Sequence, residues 1–178
     1  MAAFATSYIP TQASQVTRAA DNASMLGDNF STWYNATEGT LLGQGLKPAL
    51  SSSNSALATL FTSGSTRMLI GNNVGGGGST EADFYVQNSG SDQAWLRFAS
   101  AVSANTAFKI AGAYKANDFA ASANAATALT DTSGTVPSIA SFAIGNGGSS
   151  AAYFNGTIRS ISYYPTRLAN ATLQSITA

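Results

Sequence analysis

The sequence predicts an all-β protein that folds as an antiparallel two-sheet sandwich. Apolar and polar residues alternate with a period of two in short segments along almost the whole chain. Gly, Asn and Ser separate these segments at short intervals, as they do in β-sandwiches. A length of 178 residues suits one domain with a sizeable core.

The elements follow from this alternation, taken in chain order. A hairpin about the turn Ser63–Thr66 is predicted within 56–73, and further strands are predicted over 38–45, 81–88, 93–100, 107–115, 138–146 and 155–165. The side chains predicted to face the core are Ala82, Phe84, Val86, Leu96, Phe98, Phe108, Ile110 and Tyr114, which leaves Trp95 and Arg97 on the opposite face. The glycine run at 75–78 is predicted to be a loop. We expect at most one short helix, over Asn170–Ile176, with Asn170 as its N-cap.

Two adjacent aromatic residues, Trp33 and Tyr34, occur in the stretch "DNFSTWYNATEGTLL". Neighbours on a strand point to opposite faces, so the two rings cannot both be buried against one sheet. We interpret Trp33 as the ring that anchors this segment under a neighbouring loop. Tyr34 is then predicted to face solvent or a partner.

The composition excludes several classes of function. Only 9% of the residues are charged, and the formal net charge is zero, whereas a nucleic-acid binder needs a basic excess. No basic amphipathic helix and no apolar run of about 20 residues is present, so membrane insertion is not expected. The chain has no Cys and no His, which excludes disulfides, thiol nucleophiles and Ser-His-Asp triads. The first residues do not have the pattern of a signal peptide.

Several separated segments carry a resemblance to one family. "TSYIPT…VTRAAD…NFSTWYNATEGTL" near the start, "YKANDFAAS" and "TDTSGTVP" in the middle, and "FNGTIRSISYYPTRLANATLQSIT" at the end resemble concanavalin A-like (laminin G-like) jelly-roll domains of bacteriophage virion proteins. In such proteins "FATSYIPT" looks like the last strand of a preceding module. We therefore expect residues 1–15 to be an arm and residues 16–178 to be the sandwich. One departure is Asn124-Ala125, where the resemblance implies an Asn-Gly turn.

The resemblance implies a surface protein of the virion, such as a tail fibre, a receptor-binding protein, a head spike or a decoration protein. Such a protein assembles in the cytoplasm of the bacterial host, contacts other virion proteins and forms homo-oligomers. One reading is a non-catalytic module for adhesion to host-surface glycans. The alternative is a purely structural protein of a capsid or fibre. Exposed aromatics clustered in one groove favour the first reading, and aromatics spread along a subunit contact favour the second.

Outward-facing aromatic rings are the expected sugar platforms, because sugars stack on such rings and take hydrogen bonds from polar neighbours. The candidate ligand-binding residues are Trp95, Arg97, Tyr85, Tyr34 and Tyr153. Trp95 is the first choice, because Leu96 and Phe98 already occupy the inward face of its strand.

The acidic residues of the chain do not form the patterns expected of a catalytic site or a metal site. Glu81 and Asp83 share a strand face, and the jelly-roll family includes glucanases, so a glycoside hydrolase is the remote alternative. The second Glu of the glucanase pattern is missing, and Glu38 is the only other glutamate, so we expect no enzyme and no catalytic residue. Related domains often hold calcium at a loop rim. Asp28, Asp118 and Asp131 lie in no calcium-loop motif, so no metal or cofactor is assigned.

Overall fold

The computed structural model describes residues 23–74, 78–148 and 152–178. In these ranges the chain forms eleven strands and two short helices, which are β1 (Ala23–Leu26), α1 (Asp28–Ser31), β2 (Glu38–Leu46), β3 (Ser55–Ser63), β4 (Thr66–Asn72), β5 (Ala82–Asn88), β6 (Ser91–Phe98), β7 (Ala107–Lys115), β8 (Phe119–Ala123), β9 (Leu129–Asp131), β10 (Ser141–Ile144), β11 (Thr157–Tyr164) and α2 (Asn170–Ile176). The predicted arm at 1–15, the boundary at residue 16 and most of the glycine run lie outside the described residues.

The strands form two antiparallel sheets. The six-stranded sheet has the order β1-β10-β3-β4-β5-β6, and the five-stranded sheet has the order β11-β2-β7-β8-β9. The predicted all-β sandwich is confirmed, including the hairpin of β3 and β4. β1, β8 and β9 did not appear among the strands predicted from alternation. β1 and β9 are too short for a period of two to be recognised.

The core lies between the sheets, as the alternation predicts. The eight side chains predicted to face inward are all buried there. On β5 and β6 the residues of the core cluster alternate with Asp83, Tyr85, Trp95 and Arg97, so these four point away from the core.

Glycines on the inner faces let the two sheets approach closely. A Cβ atom added to Gly112 of β7 would lie 2.3 Å from the ring of Phe84 on β5, and one added to Gly43 of β2 would lie 2.8 Å from Cδ1 of Ile70 on β4. Such distances are far below van der Waals contact, so the side chain from the opposite sheet occupies the space that a side chain at the glycine would need.

The helix α2 has the predicted bounds and covers the outer face of the five-stranded sheet. Leu173 is buried against Ala111, Ala113 and Ala120 on the strands below. The predicted N-cap is wrong, because Ala169 occupies that position and the Asn170 side chain accepts a hydrogen bond from Arg167 Nη1 at 2.7 Å. Neither helix in the described part of the chain is long and apolar enough to cross a membrane.

The segment containing Trp33 and Tyr34 is not a strand. It follows the unpredicted helical turn α1, and the backbone N–H groups of both residues donate to the Phe30 carbonyl. Both rings therefore pack on Phe30, with centroid distances of 5.1 Å for Trp33 and 4.7 Å for Tyr34. Trp33 anchors the segment, as predicted, but its ring packs on Phe142 of β10 and Tyr163 of β11 rather than under a loop. The prediction that Tyr34 faces the opposite way is wrong, because strand alternation does not apply to this turn.

The turn after β8 has the geometry that the resemblance implies, although it lacks the glycine. Asn124 and Ala125 both have positive φ, at 47° and 61°. The Ala126 N–H donates to the Ala123 carbonyl across the turn. Positive φ at both central residues is what a type I′ turn requires, so Ala125 occupies a position that favours glycine.

Candidate functional site

The outer face of the six-stranded sheet carries the candidate site. Antiparallel register places Tyr85 beside Trp95 and Asp83 beside Arg97, across the hairpin of β5 and β6. We call Glu81, Asp83, Tyr85, Trp95 and Arg97 the Trp95 cluster. Three of the five residues predicted to bind ligand therefore lie together.

Arg97 is the centre of this cluster. Its Nε atom lies 3.0 Å from Asp83 Oδ1 and 3.1 Å from Glu81 Oε2. Its Nη2 atom donates to the Val74 carbonyl at 3.1 Å. The guanidinium also lies over the ring of Trp95, 4.2 Å from the centroid. One cation thus binds two carboxylates and one indole.

Asp83 is the buried carboxylate that contacts both Trp95 and Arg97. Its side chain is fully buried and accepts hydrogen bonds from the Val74 N–H at 2.8 Å and from Trp95 Nε1 at 3.3 Å. Burial raises the pKa of this carboxyl, and the hydrogen bonds from Val74 and Arg97 oppose that shift. Because Asp83 contacts both Trp95 and Arg97, it holds them in a fixed relation.

Trp95 is the exposed ring of the cluster, with 38% of its surface accessible. Tyr85 meets it edge to face at a centroid distance of 5.4 Å, and Tyr85 is itself buried. The Tyr85 hydroxyl donates to Asp92, and burial together with that carboxylate raises its pKa to about 12. Trp95 is therefore the accessible ring of the cluster, and Tyr85 supports it from the side.

A groove of about 490 Å³ opens next to the cluster, at the end of β6. Arg97 and Phe98 line one side, and the turn between β8 and β9 lines the other, with Asn124, Thr127 and the half-exposed Leu129. Arg97 belongs both to the groove and to the Trp95 cluster.

The other two predicted ligand-binding residues lie elsewhere. Tyr153 is exposed, and the preceding residue, Ala152, accepts a hydrogen bond from Ala56 of β3, three strands away from Trp95. Tyr34 packs among Phe30, Tyr114 and Tyr163 and lines a separate cavity beside α1. Burial raises the pKa of Tyr34 to about 12.

The carboxylates considered for catalysis and metal binding have other partners. Arg97 bridges Glu81 and Asp83, and Asp118 forms an ion pair of 2.7 Å with Arg167. Asp131 accepts hydrogen bonds from the backbone N–H and the hydroxyl of Ser133, which is an Asx turn. Among the described residues, no three acidic side chains come together as metal ligands would.

The role of Asp83 as the residue that orients Trp95 was missed in the sequence. Counting back from the turn at Ser89-Gly90 pairs position 85 with 94 and position 83 with 96, whereas a register shift between Val86 and Gln87 moves the pairs to 85 with 95 and 83 with 97. The sequence alone therefore does not give this pairing. A buried lysine was also missed. Lys47 is 1% exposed, donates to Ser55 Oγ and Asn72 Oδ1, and has a pKa lowered by burial. No alternation or motif marks it.

Comparison with known proteins defines the class of fold. No family model matches the chain, and no curated protein matches it. Among solved structures it is similar to the CBM40 domain of the Ruminococcus gnavus IT-sialidase bound to α2,3-sialyllactose, with a TM-score of 0.66, 15% identity, and coverage of 84% of this chain and 88% of that one. It is also similar to the leech intramolecular trans-sialidase complexed with 2,7-anhydro-Neu5Ac (TM-score 0.67, 16% identity), where 88% of this chain aligns with 26% of that one.

A third similar structure is the LG4-5 segment of the mouse laminin α1 chain, with a TM-score of 0.59, 11% identity, and coverage of 81% of this chain and 38% of that one. The domain is a concanavalin A-like (laminin G-like) jelly-roll sandwich.

Proposed function

We propose that this domain binds carbohydrate, without catalysis, on the Trp95 cluster. The observation that carries the proposal is the exposed ring of Trp95, which Asp83, Arg97 and Tyr85 hold in one orientation. A ring fixed before binding loses little conformational entropy when a sugar stacks on it. Polar groups around the ring can bind the sugar hydroxyls.

Two further points support a binding module. The CBM40 domain with the similar fold was solved with sialyllactose bound. Glu81 and Asp83 share one guanidinium, and Asp83 is fully buried, whereas a retaining hydrolase needs a nucleophile and an acid that both face the substrate.

The test compares three single variants of the whole chain on a glycan array and in thermal melting. Trp95→Ala should weaken binding at least about tenfold while the melting temperature stays near that of the parent, because its ring lies outside the core. Trp33→Ala is the control for lost stability, since its ring packs against the core. Tyr153→Ala is the control for an exposed aromatic elsewhere, and its binding should equal that of the parent.

We propose further that the domain is displayed on a bacteriophage virion and contacts host-surface glycans there. The resemblance of the segments at both ends of the chain to virion jelly-roll domains supports this setting. Mass spectrometry of purified particles after surface labelling would test it. A chain absent from the particles would contradict it.

A second candidate function is assembly into a homo-oligomer. The edge strand β1 favours it, because all four of its residues are exposed and Leu26 has 59% of its surface accessible. Among the described residues, β1 pairs on one side only, with β10, and a sheet edge with apolar side chains is a template for pairing with another chain. Leu26→Lys should lower the mass measured by light scattering if β1 is the contact, and an unchanged mass would exclude it.

A further inference from the structure

We propose that the Trp95 cluster takes a neutral glycan and discriminates against sialylated ones. This inference rests on the proposed function and adds the class of ligand. The arginine beside the platform would be the natural partner of a sugar carboxylate. Its existing contacts argue against that role.

The charge of Arg97 is already compensated within the protein. Its Nε atom faces both Asp83 and Glu81, at 3.0 and 3.1 Å. Asp83 is fully buried, so drawing Arg97 away toward a ligand would leave a buried carboxylate without its cation. Arg97 therefore cannot turn to an incoming anion without a penalty inside the protein.

Among the described residues, the surroundings of the platform also carry an excess of negative charge. Glu81, Asp83 and Asp92 surround Tyr85 and Trp95, against the two cations Arg67 and Arg97. A carboxylate on the ligand would lie close to Glu81, which is 18% exposed, and like charges in such proximity oppose binding. The groove adds no compensating cation, since Arg97 is the one charged side chain among its described lining residues.

The groups that remain match the hydroxyls of a neutral sugar. In the described part of the chain, Arg97 Nη1 and Glu81 Oε1 make no hydrogen bond, because the contacts of these side chains use Nε, Nη2 and Oε2. A guanidinium N–H can donate to one sugar hydroxyl, and a carboxylate oxygen can accept from another. Beyond Arg97, the amide of Asn124 and the hydroxyl of Thr127 line the groove and can bind further residues of a longer glycan.

The test uses an array of oligosaccharides that are present in matched neutral and terminally sialylated forms, followed by calorimetry on the best pair. We expect the neutral form to bind at least about tenfold more tightly than its sialylated counterpart, since like-charge contacts at an interface are worth that much or more. Glu81→Gln removes one negative charge and keeps an amide oxygen as acceptor. This variant should lower the ratio of the affinities for the neutral and the sialylated form at least about threefold, and it should leave the melting temperature unchanged.

Asp131→Asn is the matched control, because it removes a carboxylate from the Asx turn that begins at the last residue of β9 and should leave the discrimination as it is. Tighter binding of the sialylated forms, lost in Trp95→Ala, would overturn this inference and leave the proposed function intact. Discrimination that Glu81→Gln does not change would overturn it too. Absence of binding to any glycan, or binding that Trp95→Ala does not affect, would overturn the inference together with the proposed function.

Discussion

The two outer faces of the sandwich differ in what covers them. On the five-stranded sheet, the small side chains Ala111, Ala113 and Ala120 lie under α2, and Leu173 fills the space between the helix and the sheet. On β5 and β6 of the six-stranded sheet, the outward residues are large and polar or aromatic, and Trp95 is exposed.

The outward residues of a strand indicate whether another element covers that face. Alanine on an outer face leaves room for another element, because a helix must approach the sheet closely to bury its own apolar side chains. Aromatic and charged residues on an outer face extend away from the sheet and keep another element from packing closely against it.

Leu173→Ala should weaken the packing of α2 on the five-stranded sheet. Removing a buried leucine side chain costs roughly 3 kcal/mol of the free energy of unfolding, through lost burial and the cavity left behind. Denaturation in urea measures the loss, and Gln174→Ala on the same helix is the control. Glycan binding by the folded variant should match that of the parent, since α2 covers the other sheet. A small loss of stability would mean that α2 contributes little to the fold.

Asp83 gives the six-stranded face a pH dependence that the alanines of the other face cannot have. Burial raises the pKa of its carboxyl above the ordinary value of 3.8, so between these two values the folded chain binds the proton and the unfolded chain does not. The stability that this proton contributes is fully present below pH 3.8 and is lost as the pH rises through the raised pKa.

The measurement is denaturation of the parent and of Asp83→Asn across the acidic range. The difference in unfolding free energy, parent minus variant, should fall with rising pH in this window. A difference that rises instead would mean that the ion pair with Arg97 outweighs burial.

Ala125→Gly should stabilise the domain by about 1 kcal/mol, because alanine at positive φ is strained and glycine is not. Asn124→Gly at the neighbouring position is the comparison. It removes the side chain whose Oδ1 accepts from the Lys109 N–H and whose Nδ2 donates to the Ala101 carbonyl, so it should gain less or lose stability. Thermal melting distinguishes the two. Equal melting temperatures for Ala125→Gly and the parent would show that the strain at this turn is negligible.

The sequence predicted most of the fold because strand alternation is a local signal. The inward and outward faces of β5, β6 and β7 follow from it, and so does the exposure of Trp95. Tyr34 was misplaced because α1 is a single turn, too short for a helical period to be seen. Its position depends on Phe30, Tyr114 and Tyr163, the last two of which are distant in the chain.

The candidate site was predicted in part for the same reason. Trp95, Arg97 and Tyr85 come together because one hairpin carries all three. The groove beside Arg97 could not be predicted, because its other wall belongs to the turn between β8 and β9, and their sheet faces the hairpin across the core. The alternation along a strand shows which side chains face the core, but it does not show which residues of the other sheet they meet.

The close approach of Gly112 to Phe84 constrains how this sequence can change during evolution. A Cβ atom at position 112 would lie 2.3 Å from the ring, so alanine there needs a smaller side chain at 84. A smaller side chain at 84 alone would leave a cavity, which also costs stability. A single substitution at either position therefore lowers the stability of the fold. Among homologues, we expect a substitution at position 112 to be accompanied by one at position 84. This covariation would help to align sequences that are too divergent to align by identity.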